Sequence, residues 1–237
     1  MEWFEEWFGE EYLRLYPHRD ETEANRAVSL ICRSVGLQAG WRVLDVACGA
    51  GRHARAFVRA KARCFGLDLS ATLLRLARQA TTAPLIRADM RWLPVRPGSM
   101  DLTVNLFTSF GYFDEDAEHM LALTEMISTV RAGGWFVIDF LNPAAVRRQL
   151  VPEETVKLSG ETVRVNRSVS TDGRYVCKSI RAAGGRSFQE RVRLFEPDQM
   201  SHMLEQTGVI VRHRFGDYDA SPLTPAAPRT ILLGQIP

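Results

Sequence analysis

Val43-Leu-Asp-Val-Ala-Cys-Gly-Ala-Gly51 runs an apolar stretch straight into a turn holding two glycines, and residues 52–61 after it read as a helix. Glycines at such a turn permit positive φ and let the backbone come close to a bound molecule. A G-x-G at a first strand-to-helix turn points to a nucleotide-type cofactor, although by itself the signal is weak. Three acids sharpen it. Asp45 lies inside the first strand, four residues before Gly49. Asp68 follows the next apolar run, Cys64-Phe-Gly-Leu67, 17 residues after Gly51, where a carboxylate can receive both ribose hydroxyls. Asp89 ends the third run.

Outward from that segment, strands are predicted at 41–47, 62–67, 84–88, 101–107 and 134–141, with helices at 52–61, 70–80 and 115–131 between them. This alternation is the pattern of a parallel sheet covered by helices on both faces. Asp114 is the expected N-cap of the helix that starts at Glu115, with Gly133 past its end. Two helices precede the sheet: an aromatic amphipathic one over 2–16, stopped by Pro17, and one over 22–35 ending at Gly36. After Asn142-Pro143 the rhythm breaks. Residues 161–195 read as three β segments joined at Thr171-Asp-Gly-Arg174 and Ala183-Gly-Gly-Arg186, both hairpin-turn sequences. A helix from Pro197 to Gln206 and strands at 209–215 and 229–236 close the chain.

With 237 residues, 46% apolar composition and no repeat, the chain is long enough for one full core, and disordered, collagenous and solenoid classes are excluded. Thirty Lys and Arg against 28 Asp and Glu leave a net charge of +2, too small for a global field toward nucleic acid or membrane. The four cysteines have no C-x-x-C spacing, so neither zinc site nor disulfide scaffold is expected, and no metal is assigned. The acidic N-terminus and the lack of a long apolar run predict a soluble, cytoplasmic protein.

In order, D-x-A-x-G-x-G, an acid at the end of strand two and an acid at the end of strand three resemble a class I S-adenosylmethionine-dependent methyltransferase, strongly over residues 40–141. Tyr12-Leu-Arg-Leu-Tyr-Pro-His-Arg-Asp20, Leu106-Phe-Thr-Ser-Phe-Gly-Tyr112 and Gly216-Asp-Tyr-Asp-Ala-Ser-Pro-Leu-Thr-Pro225 resemble its bacterial small-molecule branch. The resemblance implies an α/β fold: a Rossmann-like, seven-stranded, mostly parallel sheet with helices on both faces. It carries an inserted antiparallel β meander (155–195) and an N-terminal helical lid (1–36), in a single domain whose 40–141 core holds the cofactor and whose 196–237 segment ends the sheet. It also implies S-adenosylmethionine as cofactor and S-adenosylhomocysteine as product. Asp45, Ala47, Gly49 and Gly51 would line the methionine end; Asp68 would hold the ribose and Leu69 pack on the adenine. Asp89 with the Met90 amide would read the adenine edge, and Leu106 and Phe107 would lie beside the sulfonium. Tyr12, Tyr16 and Arg19 would come from the lid, Arg19 pairing with the methionine carboxylate.

The segment after strand four lacks the D/N/S-P-P-Y/F sequence of amide and exocyclic base N-methyltransferases, which disfavours those acceptors. Phe107, Phe110, Tyr112 and Phe113 form either an aromatic wall suited to a sulfonium or amine, or ordinary core. Phe110, Tyr112 and Tyr218 are the candidate acceptor contacts. A hydroxyl acceptor would require a base, for which His18 and Tyr112 are the weak candidates, and the sequence leaves N- and O-methylation open. Cys48, at a helix start, reads as a small residue in a crowded loop rather than a nucleophile. A small-molecule acceptor is the leading expectation, with oligomeric state undetermined. Residues 161–193 carry eight Lys or Arg against three Asp or Glu, which keeps an RNA-modifying alternative and an acidic acceptor in view. A cofactor-binding protein without catalysis is the third reading.

Overall fold

The structure, a computed structural model, describes Phe8 and residues 21–158, 161–182 and 187–237. Helix α1 (Glu21–Val35) buries Ala24, Ala27, Val28, Ile31 and Val35 at three- and four-residue spacing and ends at Gly36 with φ 63°. The alternating region follows as β1 (Arg42–Val46), α2 (Arg52–Arg59), β2 (Arg63–Asp68), α3 (Ala71–Ala80), β3 (Leu85–Arg87), β4 (Met100–Asn105), α4 (Asp116–Ser128) and β5 (Val130–Leu141). Next come α5 (Pro143–Gln149), four strands β6 (Glu153–Leu158), β7 (Glu161–Val169), β8 (Tyr175–Ala182) and β9 (Ser187–Arg193), then α6 (Pro197–Gln206), β10 (Ile210–Phe215) and β11 (Arg229–Gln235).

The main sheet has seven strands in the order β10-β11-β5-β4-β1-β2-β3. The β1–β2, β2–β3, β1–β4 and β4–β5 pairs are parallel, while β11 runs antiparallel to both its neighbours. Period-2 alternation divides the core between two faces. Leu44, Val46, Phe136, Ile138 and Leu232 pack with Leu123 and Met126 of α4 and Met200 and Leu204 of α6. Val43, Val104, Val137, Ile231 and Leu233 pack with Val28 and Ile31 of α1 and Phe57 of α2. The order reverses at β1, with β2 on one side and β4 on the other, so the carboxyl ends of β1, β2 and β4 open a crevice where ligands of such sheets sit. No described helix is long and apolar enough to cross a membrane.

Several local expectations require correction. Glu115, not Asp114, caps α4: its N–H donates to Glu118 Oε2 at 3.4 Å, while the Asp114 carboxylate pairs with Arg191 of β9 at 3.0 Å. The helix stops at Ser128 because the Thr129 hydroxyl turns onto the Met126 carbonyl at 2.7 Å, and Val130 already belongs to β5. Asn142-Pro143, where the sequence rhythm breaks, is itself a helix start. Asn142 Oδ1 accepts the Ala144 N–H at 3.1 Å and Pro143 occupies the first turn, an arrangement that suits both residues.

The meander has four strands rather than three, in the order β6-β7-β8-β9, all antiparallel. Its first strand opens with Glu153-Glu154, which hides the alternation of the apolar positions. The turn at Thr171-Asp-Gly-Arg174 is where it was expected: Asp172 Oδ1 accepts the Arg174 N–H at 3.0 Å and Gly173 has φ 72°. The turn at residues 183–186 lies outside the described residues. Val163, Val165 and Ile180 pack against Leu73 of α3, which places the meander beside the crevice.

Candidate functional site

A cavity of about 410 Å³ opens at the carboxyl ends of β2 and β3, a size typical of small-molecule sites. Its floor is Ala47, Gly49 and Leu67; one wall is Asp68, Leu69 and the first turn of α3; another is Asp89 and Met90. Ser109, Tyr112, Phe113 and Phe8 complete it. The turn from β1 into α2 threads positive φ through Ala47 (59°), Gly49 (55°) and Gly51 (81°). At Gly51 a Cβ would meet Ala77 Cβ at 3.1 Å, so this glycine also allows α3 to pack closely.

Asp68 organises the first wall. Its Oδ2 accepts the Gly49 N–H and its Oδ1 accepts the Ser70 N–H, both at 2.8 Å. Burial raises its pKa, opposed by the N–H groups of Ser70, Gly49 and Leu69. Ser70 caps α3, accepting the Leu73 N–H at 3.1 Å, and its hydroxyl donates to the Phe8 carbonyl at 2.5 Å. Asp45 lies deeper, 1% exposed. Burial pushes its carboxyl up to about 7, with Asp68 adding and the Ala54 N–H and Arg52 opposing. Its Oδ2 is buried with no hydrogen-bond partner among the described residues, an acceptor without a donor.

Past β4 the chain bends sharply, with Phe107 and Thr108 both at φ 60°. Asp139 of β5 holds the bend: its Oδ2 accepts the Phe107 N–H at 3.0 Å and its carbonyl accepts the Thr108 N–H at 2.9 Å. The Tyr218 hydroxyl donates to the same Oδ2 at 2.6 Å, and Arg229 Nε donates to Oδ1 at 2.5 Å. The Phe107 ring lies near two guanidiniums, 4.2 Å from that of Arg52 and 5.0 Å from that of Arg229.

Residues 43–134, which contain the glycine turn and both wall acids, match the profile of a methyltransferase domain. The fold matches solved methyltransferases along nearly the whole chain. The CcbJ methyltransferase from Streptomyces caelestis superposes with a TM-score of 0.81 at 17% identity, covering 97% of each chain. The chain contains a methyltransferase domain, and its fold is that of solved S-adenosylmethionine-dependent methyltransferases. A second member of this fold, the sugar N-methyltransferase KedS8 from Streptoalloteichus, gives a TM-score of 0.69 at 24% identity over 96% of this chain and 93% of that one. Among curated relatives, the dTDP-3-amino-3,4,6-trideoxy-alpha-D-glucopyranose N,N-dimethyltransferase of Streptomyces venezuelae is 33% identical over 131 residues, 54% of each chain. The chain thus spans about half the length of that relative.

Within this fold the sequence-derived candidates separate into groups. Ala47, Gly49, Asp68, Leu69, Asp89, Met90 and Tyr112 come together on the cavity. Asp45, Gly51, Leu106 and Phe107 do not line it; Leu106 is 2% exposed and belongs to the core between the sheet and α1–α2. Phe110, expected as an acceptor contact, does not line the cavity: it is fully buried, with its ring against His119 and Phe195. Tyr218 is likewise buried off the cavity, and its hydroxyl proton goes to Asp139. The Tyr112 hydroxyl donates to the Thr108 carbonyl at 2.8 Å, an arrangement in which it acts as donor rather than base. Tyr12, Tyr16, His18 and Arg19 lie outside the described residues. Burial raises the Cys48 thiol far above the range in which it would ionise, which removes a nucleophile from the glycine turn.

Sequence reasoning missed Phe8, Arg91, Asp139 and Arg229. Asp139 carried a usable signal, an acid inside an apolar strand just as Asp45 is. Arg229 carried none, since its pairing with Asp139 runs diagonally between antiparallel strands registered Ile231 to Asp139.

Proposed function

We propose that the cavity holds S-adenosylmethionine, with the ribose at Asp68 and the adenine between Leu69 and Asp89, for methyl transfer to a small-molecule nitrogen. The observation that carries this reading is the pair of carboxylates, Asp68 and Asp89, on one cavity at the ends of adjacent parallel strands and above a glycine turn. Behind the cavity lining, at the head of the glycine turn, the buried Asp45 Oδ2 without a partner among the described residues is a spare acceptor of the kind a cationic donor such as the ammonium of an amino acid would satisfy. When bound, the cofactor supplies an electrophilic methyl on a sulfonium. The chain's own part is to orient and to exclude water: Asp68 accepts hydroxyls, Leu69 and Phe8 cover apolar surface, and Tyr112 and Phe113 close the side toward the β4 bend.

Nitrogen is favoured over oxygen by the proton inventory. The described titratable residues on the cavity are Asp68, Arg87, Asp89 and Tyr112. The two acids are assigned to the cofactor, Arg87 offers no base, and the Tyr112 proton is directed to a carbonyl. An amine that arrives neutral requires no base. The name of the Streptomyces venezuelae relative, an amino-sugar N,N-dimethyltransferase, supports the same class. Nucleic acid is disfavoured because five basic side chains of the meander region are already paired with acids. Arg164 meets Glu153, Arg167 meets Glu154, Arg191 meets Asp114, and Arg174 and Arg193 meet Asp116. The same pairing weakens the case for an acidic acceptor at those strands.

The test is incubation with methyl-labelled S-adenosylmethionine against separated metabolite and RNA pools. Label is expected in amine-bearing small molecules. Label in RNA alone would overturn the acceptor class, and no transfer to either pool despite cofactor binding would leave a binding protein.

A further inference from the structure

Asp89 stands on the cavity, yet one residue grips both of its oxygens. The Arg91 backbone N–H donates to Oδ1 at 2.8 Å. Its guanidinium adds Nε at 3.2 Å from Oδ1 and 3.1 Å from Oδ2, and Nη2 at 2.7 Å from Oδ2. Arg91 is held in turn: Nη1 donates to Glu118 Oε1 of α4 at 2.5 Å, and the guanidinium carbon lies 4.7 Å from the centre of the Phe113 ring. Its side chain is 7% exposed, against 19% for Asp89. A fork held on an aromatic face and by a second carboxylate has little freedom to rotate, and neither has the carboxylate it holds.

A carboxylate offers about four lone-pair directions. Three Arg91 donors, the backbone N–H on Oδ1, Nη2 on Oδ2 and Nε shared between the two oxygens, take up most of that capacity and leave Asp89 about one acceptor direction for a molecule in the cavity it lines. A single fixed acceptor suits an exocyclic amine, which donates; a ring carbonyl in the same place would set lone pair against lone pair. We propose that Arg91 is a positioning residue that fixes the acceptor direction of Asp89 and so makes this wall select a 6-aminopurine over a 6-oxopurine. The proposal rests on the adenosine reading above and adds the residue that gives that wall its selectivity.

The test is calorimetric titration of the full chain with S-adenosylhomocysteine and with S-inosylhomocysteine, which differ at the purine 6 substituent and at the adjoining N1, an acceptor in the first and an N–H in the second. The wild type is expected to prefer the amino form by about 100-fold or more, as polar sites do when the wrong group faces a buried acceptor. In Arg91→Met the preference should fall to within about tenfold, mainly through weaker S-adenosylhomocysteine binding. A purely structural role for Arg91 would weaken both ligands by the same factor and leave the ratio untouched. Thermal melting establishes whether the variant is folded; should it not be, Arg91→Lys, which keeps stem and charge but not the fork, carries the test with a ratio lowered at least about threefold. A folded Arg91 variant with the wild-type ratio overturns the proposal while leaving the adenosine reading intact. Failure of the wild type to bind S-adenosylhomocysteine overturns that reading and the proposal with it.

Discussion

Three acids stand near the carboxyl edge of the main sheet, and they are used in opposite ways. Asp68 and Asp89, at the ends of β2 and β3, are held by neighbouring N–H groups and a guanidinium but still face the cavity. Asp139, near the end of β5, is 1% exposed and divides its oxygens among Arg229, Tyr218 and the Phe107 N–H. It stabilises a bend with two consecutive non-glycine residues at positive φ, each such residue costing roughly 1–3 kcal/mol. Same residue type and same edge, then, do not define a site. What separates an acid open to the cavity from a structural one is the acceptor capacity left over once the protein's own donors are counted.

The largest expected effect breaks the structural side of the contrast. Asp139→Ala leaves the Arg229 guanidinium buried without its partner and releases the bend, so it should lower unfolding free energy by about 3–5 kcal/mol in urea titration. Loss of only a few tenths would make Asp139 a bystander.

Asp45 gives a pH-dependent counterpart. Its carboxyl is raised from 3.8 to about 7 in the folded state, chiefly by burial. The stability it contributes is therefore present in full below about pH 4 and is lost as pH rises through 7. His119 works the other way: burial lowers it from 6.5 to about 4, so its stabilising contribution grows from pH 4 to 6.5. Because His119 is common to both proteins, comparing Asp45→Asn with wild type cancels it. The melting temperature of the variant relative to wild type should climb between pH 4 and 7.5 and then level off. A flat difference would mean that Asp45 ionises freely.

The smallest effect sharpens the comparison. Tyr218→Phe removes one hydrogen bond to Asp139 and should cost about 0.5–1.5 kcal/mol of stability, with S-adenosylhomocysteine affinity unchanged. A large loss of affinity would put Tyr218 in the binding site after all.

The parallel half of the fold was legible because its strands are apolar runs bounded by turn residues, and its glycine turn and ordered acids mark both strand ends and ligand. The meander was legible at Asp172-Gly173 but not at β6, where paired glutamates face Arg164 and Arg167 and mask the alternation. The site divided along the same line. Local features such as Gly49, Asp68, Asp89 and Met90 can be read from a strand end, and they meet at the cavity. Features set by contacts distant in sequence cannot: Phe110 and Tyr112 are two residues apart, yet one is sealed behind His119 and the other faces the cavity. In the same way, whether the Tyr218 hydroxyl is available depends on an acid 79 residues away.

The central claim, that the Asp68 wall receives the adenosine half of S-adenosylmethionine, is tested most directly by calorimetric titration of wild type and Asp68→Ala with S-adenosylhomocysteine and with NAD. The wild type should bind S-adenosylhomocysteine and show no heat with NAD, and the variant should bind the former more weakly by about 1.5–3 kcal/mol, the loss expected for hydrogen bonds to a charged acceptor. Tight NAD binding that depends on Asp68, or S-adenosylhomocysteine affinity indifferent to Asp68→Ala, would contradict it.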